Sequence, residues 1–182
     1  MKTTTLLALT ERYELLMAED SDDVRAAQRL RYEVFNLELH EGLADSFATG
    51  LDQDEFDEVC DHLLVRERHS GAAVGTYRMQ TGASAGAHRG YYSEHEFDLT
   101  SYEPARDELL ELGRACVAAD HRNQVVLGLL WKGIAFYAQN HGTRYLVGCS
   151  SLTSQDEAAG LAVYRGLAAN HLAESRWQTR PR

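Results

Sequence analysis

Within LLELGRACVAADHR, residues 109–122, a glutamate and an arginine interrupt a run otherwise dominated by Leu, Ala, Cys and Val. Leu109 to Ala118 has the composition of a strand covered on both faces. A charge in such a place is costly unless it is paired. Glu111 is a candidate general base, because apolar surroundings raise a carboxyl toward neutrality. Arg114 opposes that shift if it pairs closely, or else it fixes the glutamate's rotamer. His62, at the start of another apolar run, is either the alternative base or a hydrogen-bonded structural residue.

Other charges also sit at apolar positions. Arg31 lies four residues before Phe35 in a helical pattern, and Arg78 stands in VGTYRM on the strand face of Val74 and Thr76. Asp54 and Asp57 share a face if DEFD forms a helical turn. Three arginines (31, 78, 114) and three carboxylates (54, 57, 111) sum to zero, as a buried network requires. In a regular strand, positions three apart point to opposite faces. Glu111 and Arg114 therefore either serve different faces or are brought together by a bulge beside Gly113.

The elements that must position these groups follow from pattern. The chain has 182 residues, 44% of them hydrophobic, and two prolines, which reads as one domain over 1–182. A strand over 12–20 precedes a helix over 19–39, with Val24, Ala27, Leu30, Val34 and Leu37 at helical spacing. Residues 40–60 read as a long, partly helical loop. Strands over 62–68 and 72–80 flank the short turn HSG, and TGASAGAHRG, 81–90, reads as a loop.

After the strand at 109–118, residues 121–142 form a helix with Val126, Leu130, Ile134 and Tyr137 on one face and Gly142 as its stop. A buried strand over 143–150 follows. A last helix starts at Ser154, with Glu157 completing a capping box, and buries Leu161, Tyr164, Ala168 and Leu172. Strand, helix, strand implies a parallel pair, and the hairpin implies antiparallel ones. The fold class is a mixed-sheet α/β domain with helices on its faces.

The net charge of −10 argues against a nucleic-acid protein. Cysteines 60, 116 and 149 read as inert core thiols in a reducing cytoplasm. The eight histidines show no metal-ligand spacing, so no metal site is expected. Met1 to Thr10 lacks the apolar length of a secretory signal, and no window approaches the roughly 20 apolar residues of a membrane span. A soluble, cytoplasmic protein is expected. Arg180 and Arg182 read as a solvated tail.

As a set, Arg31-x-x-x-Phe35, Asp54-x-x-Asp57, Arg78 and Glu111-x-x-Arg114 resemble the acyl-homoserine-lactone synthases. The stretches CDHLLV, GTYRM, YYSEHEFDL, LELGRACV, LLWKGI and YLVGCSS resemble more closely the N-acyl amino acid synthases and ornithine-lipid N-acyltransferases. That likeness runs from about Tyr13 to Leu172. It implies a GNAT fold, a mostly antiparallel mixed sheet with one splayed parallel pair and helices on both faces. It implies Arg31, Phe35, Asp54, Asp57 and Arg78 as substrate-binding residues, with Glu111, Arg114 and His62 at the reacting centre. Glu41 stands where the lactone synthases carry tryptophan, which counts against lactone formation. A lactone synthase and a non-catalytic carrier-binding module remain the alternatives.

The reaction so implied is attack of an amino acid α-amine on a long-chain acyl thioester. The donor is acyl-phosphopantetheine on acyl carrier protein, and no permanently bound cofactor is expected. Backbone N–H groups around Cys116 and Val117 would hold the oxyanion. Val125 and Leu127 replace the small residues of a diphosphate-gripping loop, so Arg122 and the amides of Asn123 and Gln124 would hold a single phosphate. Arg122, Lys132, Arg144 and Arg176 are candidates for docking the acidic carrier. For the acceptor, Arg31 and Arg78 could fork the carboxylate, while Leu43, Phe47 and Leu51 could line an apolar pocket. The ornithine enzymes extend well past the final helix and this sequence stops at Arg182, so a broader amino acid acceptor is expected. The amphiphilic product leaves a peripheral membrane contact open.

Overall fold

The computed structural model describes residues 5–152, 154 and 156–182; the reading of the first four residues lies outside that range. The strands and helices run β1 (Thr5–Leu9), β2 (Tyr13–Met17), α1 (Ser21–Arg31), α2 (Ser46–Thr49), β3 (Asp61–Glu67), β4 (Ala73–Thr81) and α3 (Gly82–Ala87). They continue with β5 (Phe97–Asp98), β6 (Leu109–Val117), α4 (Gln124–His141), β7 (Tyr145–Val147), α5 (Glu157–His171) and β8 (Arg180–Pro181).

One six-stranded sheet takes the order β1-β2-β3-β4-β6-β7. Every neighbour pair is antiparallel except β6 with β7, which is parallel. This is the mixed α/β, GNAT-type sheet with one parallel pair. Helix α4 covers one face, where Val126, Leu130, Ile134 and Tyr137 pack on Leu15, Leu63, Val65 and Met79. Asn123 caps its start, and Gly142, at φ 67°, ends it in the left-handed conformation that a residue without Cβ adopts freely. Helix α1 covers the opposite face, with Leu30 and Val34 against Cys116.

Five expectations need correction, the first being the buried strand over 143–150, which is only Tyr145–Val147 and leaves Tyr145 and Leu146 exposed. The first helix does not keep its period: after Arg31 it widens into a π-helix over Tyr32–Glu38. The extra residue per turn swings Asn36 inward, where it donates to the Leu43 carbonyl, and leaves Leu37 exposed. Residues 82–87 of the expected loop form α3, because the Thr81 hydroxyl accepts the Ser84 N–H as an N-cap.

The last helix is capped by Asp156, whose side chain accepts the Ala158 N–H; Ser154 lies outside it, bonded to the Asp156 amide. Its expected apolar stripe is not buried: Leu161, Tyr164 and Leu172 are about half exposed or more. The chain leaves the sheet at the end of β7, and after α5 Trp177 packs at a tilt against Tyr102 and Tyr145. No residue of helix α5 is buried. Finally, the tail does not fray: β8 pairs with β5, and the Arg182 N–H donates to the Glu96 carbonyl.

Candidate active site

Strand β6 carries the bulge anticipated beside Gly113. Its partners on β4 run Arg78 opposite Gly113 and then Thr76 opposite Cys116, so β6 spends one residue more than β4 over the same span. Arg114 absorbs the irregularity with φ 49°, a left-handed conformation that costs a side chain about 1 kcal/mol. The bulge does not join Arg114 to Glu111. It turns Arg114 toward Asp52, 3.6 Å away, and Asp54, 3.9 Å away.

Asp52 is the residue that sequence reasoning misses. It is fully buried, with Arg31 Nε at 3.1 Å from Oδ1, and neither carboxylate oxygen has a hydrogen bond. The zero-sum network therefore consists of Arg31, Arg78 and Arg114 with Asp52, Asp54 and Asp57, and Glu111 stands outside it. The available signal is LDQDEFD, where Asp52 precedes the expected pair by two residues.

DEFD does form a helical turn, residues Glu55–Glu58, and Asp54 and Asp57 close it reciprocally. Asp54 accepts the Phe56 N–H at 2.9 Å and Asp57 accepts the Asp54 N–H at 3.3 Å. Each aspartate then meets an arginine. Arg78 Nη1 donates to Asp54 Oδ1 at 2.5 Å and to Asp57 Oδ1 at 3.0 Å, while Arg31 grips both oxygens of Asp57. Burial alone would push the Asp57 carboxyl up, but the Arg31 and Arg78 guanidiniums hold it well below the usual carboxylate range. Burial does push Asp52 up, against the pull of Arg114 and Arg31.

His62 lies opposite Arg78 in the β3–β4 register and is buried, with Nε2 3.4 Å from the Asp57 carbonyl. Burial lowers its pKa to about 4, so it is neutral at pH 7. It does not line the cavity described below.

The Glu111 carboxylate is not in apolar surroundings. The N–H groups of Tyr92 and Ser93 donate to Oε2 and Oε1 at 2.9 and 2.7 Å, at the start of a 3-10 turn over Tyr92–His95. Beyond Glu111 the sheet parts. β6 pairs with β7 only over Leu109–Glu111, and then continues to Val117 against β4 alone. The split opens into a cavity of about 790 Å³. Gln80, Arg78, Glu111 and Arg114 line it from the α1 side, and Leu112 and Trp131 from the α4 side. Gly148 borders the split within 2.3 Å of the Leu112 carbonyl, counted from where a Cβ would sit, so no side chain fits there.

Phe35 also lines the cavity, with the Arg114 guanidinium 5.7 Å from its ring centre. Arg31, Asp54 and Asp57 do not; Arg31 grips Asp57, and Asp54 is held by Arg78. Leu43 and Leu51 do not reach it either, and Phe47 is exposed against Tyr32. The Ala118 N–H donates to the Val74 carbonyl. Alternation in an antiparallel ladder then turns the Val117 N–H away from β4 and the Cys116 N–H toward it. Cys60 and Cys116 are free thiols that burial pushes up to about 12.

At the start of α4, Asn123 Oδ1 accepts the Val125 and Val126 amides, and the Asn123 N–H donates to the His121 carbonyl. Gln124 opens the helix in an exposed position. Arg122 donates to the Val117 carbonyl and is paired with Glu38 at 2.6 Å. Arg144 pairs with Glu108, and Arg176 with Glu174. Among the described residues no cluster of His, Cys, Asp and Glu could hold a metal ion, and no helix is long and apolar enough to cross a membrane.

Residues 30–132 match the family described as the acetyltransferase (GNAT) domain. The chain is 37% identical over 175 residues to an L-ornithine N(alpha)-acyltransferase of Agrobacterium fabrum, covering 91% of this chain and 59% of that protein. It is 35% identical over 176 residues to one of Rhodobacter capsulatus, covering 93% of this chain and 68% of that protein. Among solved structures, the N-acyl amino acid synthase FeeM from uncultured soil microbes superposes with a TM-score of 0.54 at 15% identity, over 76% of this chain and 71% of that one. That last likeness is one of fold. With its sheet, its split and its sequence in agreement, the chain belongs to the GNAT family, together with these L-ornithine N(alpha)-acyltransferases.

Proposed function

We propose that this protein is an N-acyltransferase that moves a long-chain acyl group from acyl carrier protein to the α-amine of an amino acid, L-ornithine first among acceptors. The observation that carries the reading is Glu111, held by two backbone amides where β6 and β7 part, facing a cavity it shares with Arg78 and Arg114. The relatives' names favour ornithine over the broader acceptor expected from the sequence.

In this reading the thioester arm enters the split and the amino acid lies on the α1 side. The amine nitrogen attacks the thioester carbonyl carbon, the C–S bond breaks, and the pantetheine thiol leaves. Glu111 takes the proton that the amine gives up, directly or through water. The Val117 N–H, turned away from β4, donates to the oxyanion. Arg78 and Arg114 receive the acceptor's carboxylate, since both line the cavity and Arg114 Nε has no hydrogen bond. His62, buried and neutral behind Arg78, serves as a structural residue rather than as the base.

Carrier protein is favoured over coenzyme A by the start of α4. Asn123 already occupies the Val125 and Val126 amides, and the exposed Val125 and Leu127 side chains crowd a diphosphate. Arg122 would exchange Glu38 for the single phosphate of the arm. Lys132, exposed on α4, adds to the docking charge.

The test is to incubate purified protein with a charged carrier, or the matching acyl-CoA, and the twenty amino acids plus ornithine. Products are identified by mass. N-acyl-ornithine formed faster from the carrier is expected. Equal kcat/KM for the two donors would remove the carrier assignment, and no N-acyl product with any amine would remove the reading itself.

A further inference from the structure

Gln80 is buried, and neither its carboxamide oxygen nor its carboxamide nitrogen has a hydrogen-bond partner. Two unmade bonds on one buried amide cost the desolvation of both groups, and folded chains rarely tolerate this without a use for it. The side chain lines the cavity. On β4 it stands directly opposite Glu111, which in turn faces Val147 of β7, so Gln80, Glu111 and Val147 form one row across the sheet at the last rung before the split. Cross-strand partners project side by side, with Cβ atoms about 5 Å apart. Glu and Gln have equal reach, so the amide and the carboxylate flank the same part of the cavity.

Neither neighbour needs the amide. Glu111 is satisfied by the Tyr92 and Ser93 backbone, and Arg78, two residues earlier on the same face, by Asp54 and Asp57. A carboxamide offers one acceptor and one donor about 2 Å apart on a rigid plane. An α-amino acid offers the complement on a single carbon: an amine that donates and a carboxylate that accepts. One ligand of that class pairs both orphan atoms at once.

We propose that Gln80 binds the α-carbon head of the acceptor, its Oε1 accepting from the α-amine beside Glu111 and its Nε2 donating to the α-carboxylate on the Arg78 side. This rests on the acyltransferase reading and adds to it. The site then selects α-amino acids as a class over simple amines, independently of their side chains.

Kinetics with L-ornithine and with its decarboxylated analogue 1,4-diaminobutane test this, together with calorimetric binding of L-ornithine and thermal melting, for the wild type, Gln80→Leu and Gln80→Glu. Gln80→Leu should melt no lower than the wild type, since it replaces an unpaired buried amide by an apolar group. It should lose about 10- to 100-fold in kcat/KM for ornithine, the range for a hydrogen bond to a charged group, through acceptor KM and not donor KM. The loss with 1,4-diaminobutane should be smaller by about tenfold, since the diamine forfeits only the amine contact and has no carboxylate contact to lose. Gln80→Glu, which keeps an acceptor and loses the donor, should lose ornithine as well.

Unchanged ornithine kinetics, or equal losses with both amines, would overturn the proposal. If the wild type acylates no amine, the acyltransferase reading falls, and calorimetry still decides about Gln80: ornithine binding lost in Gln80→Leu upholds the site, and binding that is absent or unaffected removes it.

Discussion

Arg31 and Asp57 meet as two parallel forks, Nη1 to Oδ1 at 3.0 Å and Nη2 to Oδ2 at 2.6 Å, with the guanidinium wholly buried. Asp57 also takes Arg78 at 3.0 Å and the Gln28 amide at 3.0 Å. One carboxylate thus joins α1, the 55–58 turn and β4, and neutralises charge that no solvent reaches.

Asp57→Asn is therefore expected to cost about 3–5 kcal/mol, the penalty for breaking a buried pair from one side. Urea unfolding at pH 7 reads it as a lower midpoint at constant slope. A loss under about 1 kcal/mol would mean that the forks contribute little to the fold.

His62 makes stability depend on mild acid. Its folded pKa of about 4 lies below the usual value of 6.5, so the unfolded chain binds more protons between those limits. The stability it contributes is whole above pH 6.5 and is lost as pH falls toward 4, by about 2–3 kcal/mol at pH 4.5. Unfolding at pH 7 and pH 4.5 should show that fall, and His62→Gln should flatten it. Equal pH dependence in the variant would show that His62 protonates as easily folded as unfolded.

Glu111→Gln should keep the fold, losing about 1 kcal/mol because its amide NH₂ faces a backbone N–H. Transfer should drop by on the order of a hundredfold or more, the range for loss of a general base. Turnover at saturating acceptor decides it: wild-type kcat at pH 7 would remove Glu111 from proton transfer.

Arg114 separates backbone from charge. Glycine adopts φ 49° without penalty, so Arg114→Gly should be more stable than Arg114→Ala by about 1 kcal/mol. Both should lose acceptor affinity alike, because both remove the guanidinium from the cavity. Equal melting temperatures for the pair would mean that the bulge stores no strain at this residue.

The sheet and its site strand are legible in the sequence because their signals are local. The short turn HSG marks β3 and β4 as a hairpin, the apolar run marks β6, and the 126-130-134-137 stripe marks the buried face of α4. What stays hidden depends on partners far along the chain. Asp52 is just another acid in an acidic loop until Arg31 and Arg114 close on it. The apolar spacing of α5 predicts a helix correctly, but whether a stripe is covered is decided by the surface it meets. Glu111 and Arg114 are found as a pair by composition, yet their roles diverge through a bulge and a 3-10 turn that periodicity cannot register. Gln80 passes unnoticed, since one amide in an apolar strand carries no mark of being unpaired.

The extra residue in β6 also sets a phase. Glu111 and Gly113 share the α1 face as odd positions, but beyond the bulge it is Cys116, an even position, that lies opposite Thr76 and receives Leu30 of α1 and Val34 of the π-helix that continues it. β6 is in effect two half-strands of opposite parity, one presenting polar chemistry and the other an apolar seat for the helix that brings Arg31. Deleting Ala115 would restore a uniform ladder with Cys116 still opposite Thr76, so the helix would keep its seat and Glu111 its place, while Arg114, then the single residue between Gly113 and Cys116, would turn to the α4 face and away from Asp52 and Asp54. Insertions and deletions are usually absorbed in loops. In this fold one extra residue in mid-strand gives Arg114 its place among the buried acids, and its loss would take that charge out of the site while leaving α1 and Glu111 where they are.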